Sequence, residues 1–261
     1  MMMLARFARW RRNRKALPPL PEARIPQGQR VYAIGDIHGR ADLFDALMAM
    51  IDRDIAARPE AHVVIILLGD LIDRGGESRT VVERAMALAE SPRDVRFLKG
   101  NHEEVFLRAL TGDPQAARFL VRIGGRSTIE SYGIAGEDYE ALDFDELAER
   151  IAGCVPQSHA DFLDSFEDMI EIGDYAFVHA GVRPDVALAE QTASDMRWIR
   201  AEFLDHRGPF DRVIVHGHTI TDHIENFPHR IGLDTGAYAS GRLSAIALEG
   251  ADRWTLQTQE E

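Results

Sequence analysis

Hydrophobic positions along the chain fall into short blocks whose period alternates between two and about 3.6 residues. Residues 31–34 and 63–68 are β-branched and leucine-rich runs, too short for helices and read as buried strands. Between them, residues 41–57 place Leu43, Phe44, Leu47, Met50 and Ile51 on one helical face. The spacing continues with a helix over 78–89, a strand over 95–98 and a short helix over 104–110. This βαβαβα succession predicts an α/β layer with parallel strands. Residues 112–168 lose the strand period. They hold polar turns such as Gly124-Gly125-Arg126, and helical patterns over 144–151 and 160–166, and read as a mainly helical cap insertion. Strand-like runs return at 169–172, 175–178, 213–215, 230–233, 243–248 and 254–257.

Charge divides the chain unevenly. Residues 1–30 hold eight Lys/Arg against the single Glu22, a net of +7, so the rest carries −20 of the formal −13. A body that acidic repels nucleic acid and needs a strong local cationic centre for any anionic substrate. Residues 1–29 read as a basic, Pro-rich arm, and 30–261 as one domain containing the cap. In the arm, Arg6, Arg9, Arg11, Arg12, Arg14 and Lys15 alternate with Leu4, Phe7 and Trp10, the pattern of a short amphipathic helix. Such an arm fits contact with an anionic membrane face or partner as well as it fits a solvated tail. No apolar stretch approaches the ~18 residues of a membrane span, and no secretory signal is expected. The single Cys154 excludes an intrachain disulfide and favours a reducing, cytoplasmic setting.

The strand ends carry the chemistry. The run 63–68 delivers Gly69-Asp70, followed by Asp73 and Arg74. Alone, these could be a salt-bridged turn. Yet the first strand ends in Gly35-Asp36-Ile37-His38, the third in Lys99-Gly100-Asn101-His102-Glu103, and later ones in His179-Ala180-Gly181 and His216-Gly217-His218-Thr219. Five strands thus finish in Gly-adjacent Asp, Asn or His, at the edge where parallel sheets bind ligands. Carboxylate, imidazole and amide oxygen without thiolate suit Mn²⁺, Fe²⁺ or Zn²⁺. The count suits two ions: Asp36, His38 and Asp70 for one, and Asp70, Asn101, His179 and either His216 or His218 for the other. Two such ions clamp a displacement at phosphorus and supply hydroxide near neutral pH. Glu103 and Glu104 read as acidic residues favouring a helix N-terminus. His62, His159, His206, His223 and His229 read as surface or turn residues.

In this order, GDIHG, GDLIDRG, GNHE, HAG and GHT resemble the motifs of the binuclear, calcineurin-like metallophosphoesterases. Within that group the chain is most similar to the phosphoprotein phosphatases, the serine/threonine type, in their compact bacterial and phage form. Leu233-Asp234-Thr235-Gly236-Ala237 is a further matching segment, and the likeness covers roughly 31–250. The resemblance implies two β-sheets packed face to face and flanked by helices. It implies two divalent ions, Mn²⁺ first with Fe²⁺ or Zn²⁺ as alternatives, with Asp36 and His38 on the first, Asp70 bridging, and Asn101, His179 and His218 on the second. His102 is then the general acid, Asp73 its partner, and Arg74 and Arg200 phosphate clamps. Lys99 departs from the Arg that relatives commonly carry before Gly-Asn-His-Glu. The implied reaction is attack on phosphorus in a phosphorylated protein or small phosphoester. A neighbouring group with similar motifs hydrolyses dinucleoside polyphosphates, and is the alternative.

Overall fold

The computed structural model describes residues 22–259, so the arm's proposed helix lies outside the described residues. Two five-stranded sheets make up its centre. The first holds β1 (Gln29–Ile34), β2 (His62–Leu67) and β3 (Asp94–Phe97) in parallel, with β9 (Ser244–Glu249) antiparallel beside β1 and β10 (Asp252–Gln257) antiparallel beside β9 at the edge. In the second, β5 (Tyr175–Val178), β6 (Val213–His216) and β8 (Arg230–Gly232) are parallel. The short β4 (Met169–Ile172) and β7 (Glu225–Asn226) form its antiparallel edges.

Alternation along the strands builds the layers. Val31, Ala33, Val64 and Ile66 face inward and pack with Tyr175, Phe177, Val215, Ile231, Ile246 and Leu248 between the sheets. Their neighbours Tyr32, Ile34, Ile65 and Leu67 face outward, under α1 (Ala41–Ala56), α2 (Ser78–Ala89) and α3 (Asn101–Leu110). Ala176, Val178 and Ile214 turn the other way, under α9 (Ala193–Trp198) and α10 (Ala201–Leu204). Strands buried on both faces read as unbroken apolar runs, as they do here. The expected α/β class, with two sheets face to face and helices outside, is the observed architecture. Residues before β1 are tied to this body: Ile25 is buried, and its N–H donates to the Gly250 carbonyl.

The cap is more helical than its polar turns predict. It contains α4 (Pro114–Ile123), α5 (Arg126–Ser131), α6 (Glu137–Glu140), α7 (Phe144–Cys154) and α8 (Gln157–Asp164). Local signals for α4 were present in Asp113-Pro114 and Gly124. The Asp113 side chain accepts from the N–H groups of Gln115 and Ala116, and Gly124 ends the helix at φ 113°. α9 and α10 have too few residues to show a period. α3 starts at Asn101, three residues earlier than the period indicates.

Candidate metal and catalytic centre

The ends of β1, β2, β3, β5, β6 and β8 point to one side, so the loops that follow them from both sheets converge. Asp70 is at the centre. Its Oδ2 lies 3.6 Å from His38 Nε2, 3.4 Å from His179 Nε2 and 3.8 Å from His102 Nε2. Two groups able to hold a metal ion share it: His38, Asp70 and His102, and Asp70, His179 and His218. Asn101 joins the second group, with Oδ1 3.0 Å from His179 Nε2, while His218 Nδ1 stands 3.2 Å from that same nitrogen. All of these side chains are buried.

The donor set fits cations. His179 Nδ1–H donates to the Leu68 carbonyl at 2.8 Å, and His38 Nδ1–H to that of Ile72 at 2.7 Å. Each bond fixes the tautomer and turns the Nε2 lone pair inward. The inward nitrogen of His179 thus faces the Asp70 carboxylate and the His218 ring at distances that a shared positive charge explains. Three buried carboxylates add to this need. Burial, and then the charges of Asp234 and Asp70, push the Asp36 pKa well above the carboxylate range; burial raises that of Asp234 too. Asp234 Oδ2 and His218 Nε2 are buried without a hydrogen-bond partner.

His102 stands with His38 and Asp70 in the first of these groups. The Asp36 carboxylate is turned to the His218 backbone N–H, at 3.0 and 3.2 Å. Arg74 spans the gap, with Nη1 2.7 Å from His38 Nε2 and Nη2 3.1 Å from His102 Nε2. Asp73 meets His102 as anticipated, Oδ2 to Nδ1 at 2.6 Å. Burial lowers the His102 pKa, but Asp70 and Asp73 more than reverse this, so it is raised. Asn101 and His102 diverge because they are successive residues in the first turn of α3, about 100° apart, and not because they end a strand. Arg200 is exposed at the start of α10. After burial and the His179 ring, its charge is among the influences lowering the His218 pKa.

Several supporting residues escaped the sequence reading. Glu103 is fully buried and its carboxylate accepts three backbone N–H groups, those of Asp70, Leu71 and Gly100, at 2.8–2.9 Å. It ties two ligand loops together, where sequence indicated only a helix-dipole role. Burial and the Asp70 charge push its pKa up to about 7. His216 donates from Nδ1 to the Gly217 carbonyl at 3.1 Å, and its Nε2 lies 3.3 Å from Arg230 Nη1. It backs the His218 turn. Thr128, from the cap, donates to Asp73 Oδ1 at 2.5 Å. The Tyr238 ring covers the Arg74 guanidinium at 4.9 Å and meets His38 edge-on. Lys99 is turned away and bonds Asp164 on α8 at 2.7 Å. His159 is buried against Tyr132 and is no surface residue.

The calcineurin-like phosphoesterase model matches residues 29–240. The chain belongs to that family. A symmetrical bis(5'-nucleosyl)-tetraphosphatase of Acidovorax sp. (strain JS42) is 29% identical over 187 residues, which cover 70% of this chain and 51% of that relative. The chain thus spans about half of that protein. Serine/threonine-protein phosphatase 2 of Escherichia coli (strain K12) is 28% identical over 236 residues, 83% of this chain and 91% of the relative. A solved structure assigned provisionally as a diadenosine tetraphosphatase superposes with a TM-score of 0.61 at 19% identity, covering 92% of this chain and all of that one. It shares the fold. Members of the family use two divalent metals, in keeping with the paired groups around Asp70.

Proposed function

We propose that the protein is a metal-dependent phosphomonoester hydrolase, acting on phosphoserine or phosphothreonine in proteins. The observation carrying this reading is the His102–Asp73 pair, closed at 2.6 Å beside the shared Asp70. Asp70 and Asp73 raise the pKa of an imidazole so placed, which favours the protonated form that can offer Nε2–H to the leaving alkoxide. In this reading Asp36, His38 and Asp70 hold one ion, and Asp70, Asn101, His179 and His218 the other, Mn²⁺ being the first choice of metal. Bound there, two divalent cations neutralise phosphoryl oxygens and acidify water. The Arg74 fork binds two phosphoryl oxygens and aligns the ester against His102, and Arg200 steadies the phosphate from the solvent side. Asp73 keeps the His102 ring in one tautomer and orientation.

The relatives favour a second reading as well, since one is named a tetraphosphatase and another a protein phosphatase. The acidic body inclines us to the first: a polyphosphate chain meets repulsion outside the cationic centre, whereas a phosphopeptide carries less charge. The test is turnover of a phosphoserine peptide and of diadenosine tetraphosphate by the Mn²⁺-loaded protein at one salt concentration. The peptide is expected to have the higher kcat/KM. A dinucleotide preference of about ten-fold, or ~1.4 kcal/mol in transition-state binding, would give the assignment to the second reading.

A further inference from the structure

Asp73 and Arg74 are consecutive non-glycine residues in the left-handed region, at φ 73° and 68°. Side chains adopt that conformation rarely, and keep it only where the surroundings over-determine it. Here the surroundings are supplied by the cap. The Gly124-Gly125 turn between α4 and α5, and Thr128 in the first turn of α5, reach down onto these two residues. Gly124 accepts the Arg74 N–H through its carbonyl at 2.9 Å. Its own backbone comes so near that a Cβ there would lie 2.8 Å from Arg74 Cγ, and at φ 113° it tolerates no side chain without strain. Thr128 is fully buried. Its hydroxyl donates to Asp73 Oδ1 at 2.5 Å and lies 2.9 Å from both the Asp73 backbone nitrogen and Ser78 Oγ. Asp73 N–H also reaches Ser78 Oγ, at 3.0 Å. With Oδ1 held by Thr128 and Oδ2 by His102, the Asp73 carboxylate has one orientation left.

We propose that the Gly124–Thr128 segment of the cap, the turn after α4 and the start of α5, is a positioning device for the reaction. Thr128 fixes the carboxylate that carries the His102 ring, and Gly124 fixes the backbone from which Arg74 aims at phosphate. The inference rests on the acid and clamp roles given above to His102 and Arg74. It makes the cap part of the reacting centre and separates two effects within one loop. Loss of the Thr128 hydroxyl frees the acid, which matters most where the leaving group needs protonation. Displacement at Gly124 moves the clamp, which affects every phosphate ester alike.

The test uses full-length, Mn²⁺-loaded protein with nitrophenyl phosphate, a good leaving group, and a phosphoserine peptide, a poor one. Thr128→Val keeps the shape and deletes the hydroxyl. It is expected to lower kcat on the peptide about 10-fold or more, part of the 10²–10⁴ of a positioned acid, and by no more than about 2-fold on nitrophenyl phosphate. Thr128→Ser, which restores the hydroxyl, is expected to return to within about 2-fold of wild type on both. Gly124→Ala is expected to raise KM about 10-fold on both substrates with metal content unchanged. Equal losses of kcat on the two substrates in Thr128→Val, or no loss on either, with melting temperature and metal content at wild-type values, would overturn the proposal. An unchanged KM in folded Gly124→Ala would do the same, and this variant decides the matter if Thr128→Val does not fold. A wild-type protein that hydrolyses neither ester would remove the parent reading itself, a result distinct from an active wild type whose turn variants behave normally.

Discussion

Gly75 and Gly76 are adjacent, yet the structure gives them opposite sensitivities to one methyl group. A Cβ on Gly75 would lie 2.3 Å from the His38 carbonyl oxygen and 2.8 Å from the Gly39 carbonyl carbon and oxygen. The two loop backbones must therefore part by about 0.7 Å to reach the 3.0 Å below which such contacts do not occur. Neither side is a flexible side-chain tip, and the Gly75 N–H already donates to that same His38 oxygen at 3.1 Å. The movement carries His38 away from Asp70 and Arg74. Displacement of a reacting group by close to 1 Å costs about 10² in rate, and overpacking of this kind destabilises by about 1–3 kcal/mol, or roughly 2–12 °C in Tm for a chain of this size. Gly76 has nothing within 4 Å of its Cβ and lies outside the left-handed region. Gly76→Ala is expected to leave kcat/KM unchanged and to stabilise slightly, by about 0.4–1 kcal/mol. The assay is kcat/KM on nitrophenyl phosphate at saturating Mn²⁺, beside a thermal melt. If the two alanine variants agree within about 2-fold in rate, the close approach of these loops does not govern the site.

Asp70→Asn is expected to lower Mn²⁺ occupancy at both positions and to cost more activity than the ~10–100-fold of an outer-shell loss; elemental analysis showing full occupancy would refute its place as the shared ligand. His216→Phe leaves the buried Arg230 without one of its partners, so destabilisation by about 1–3 kcal/mol is expected, and an unchanged urea midpoint would count against it. His159 is held below its usual pKa by burial. The unfolded chain therefore takes up a proton near pH 6.5 that the folded state refuses, and stability falls as pH drops through that value. Urea midpoints at pH 7.5 and 5.5 are expected to differ less in His159→Gln than in wild type, and equal differences would exclude this contribution.

The sheets and the site were legible in the sequence to different depths, for physical reasons. Strands buried on both faces announce themselves as apolar runs, so 31–34, 63–68 and 175–178 were found almost to the residue. The chemistry was legible because the carboxyl ends of parallel strands converge, and each end here carries a glycine and a ligand-type side chain. The cap was less legible: α4 packs against α3 and α7, α5 packs against α2, and the glycines between them read as loop rather than as a close approach. The roles found for Thr128 and Glu103 gave no signal, since they rest on partners such as Asp73, Asp70 and Leu71, 32 to 55 residues away. Only folding brings these together.

Backbone conformation was the least legible feature, and it bears most directly on function. Six described non-glycine residues have positive φ: His38, Asp70, Asp73, Arg74, Asp185 and His218. Five of them are residues that the motifs had marked as ligands, acid partner or clamp. Local propensity would place Gly or Asn at such positions, so the sequence violates its own backbone preference where the chemistry is concentrated. Each such residue costs on the order of 1–3 kcal/mol. That cost has to be offset by contacts outside the loops, and the structure supplies them: Glu103 under Asp70, Thr128 and Gly124 over Asp73 and Arg74, and the His216–Arg230 pair behind His218. These supports are themselves neither proposed ligands nor phosphate contacts. They are therefore the positions at which substitutions should impair the reaction without touching a metal or a substrate.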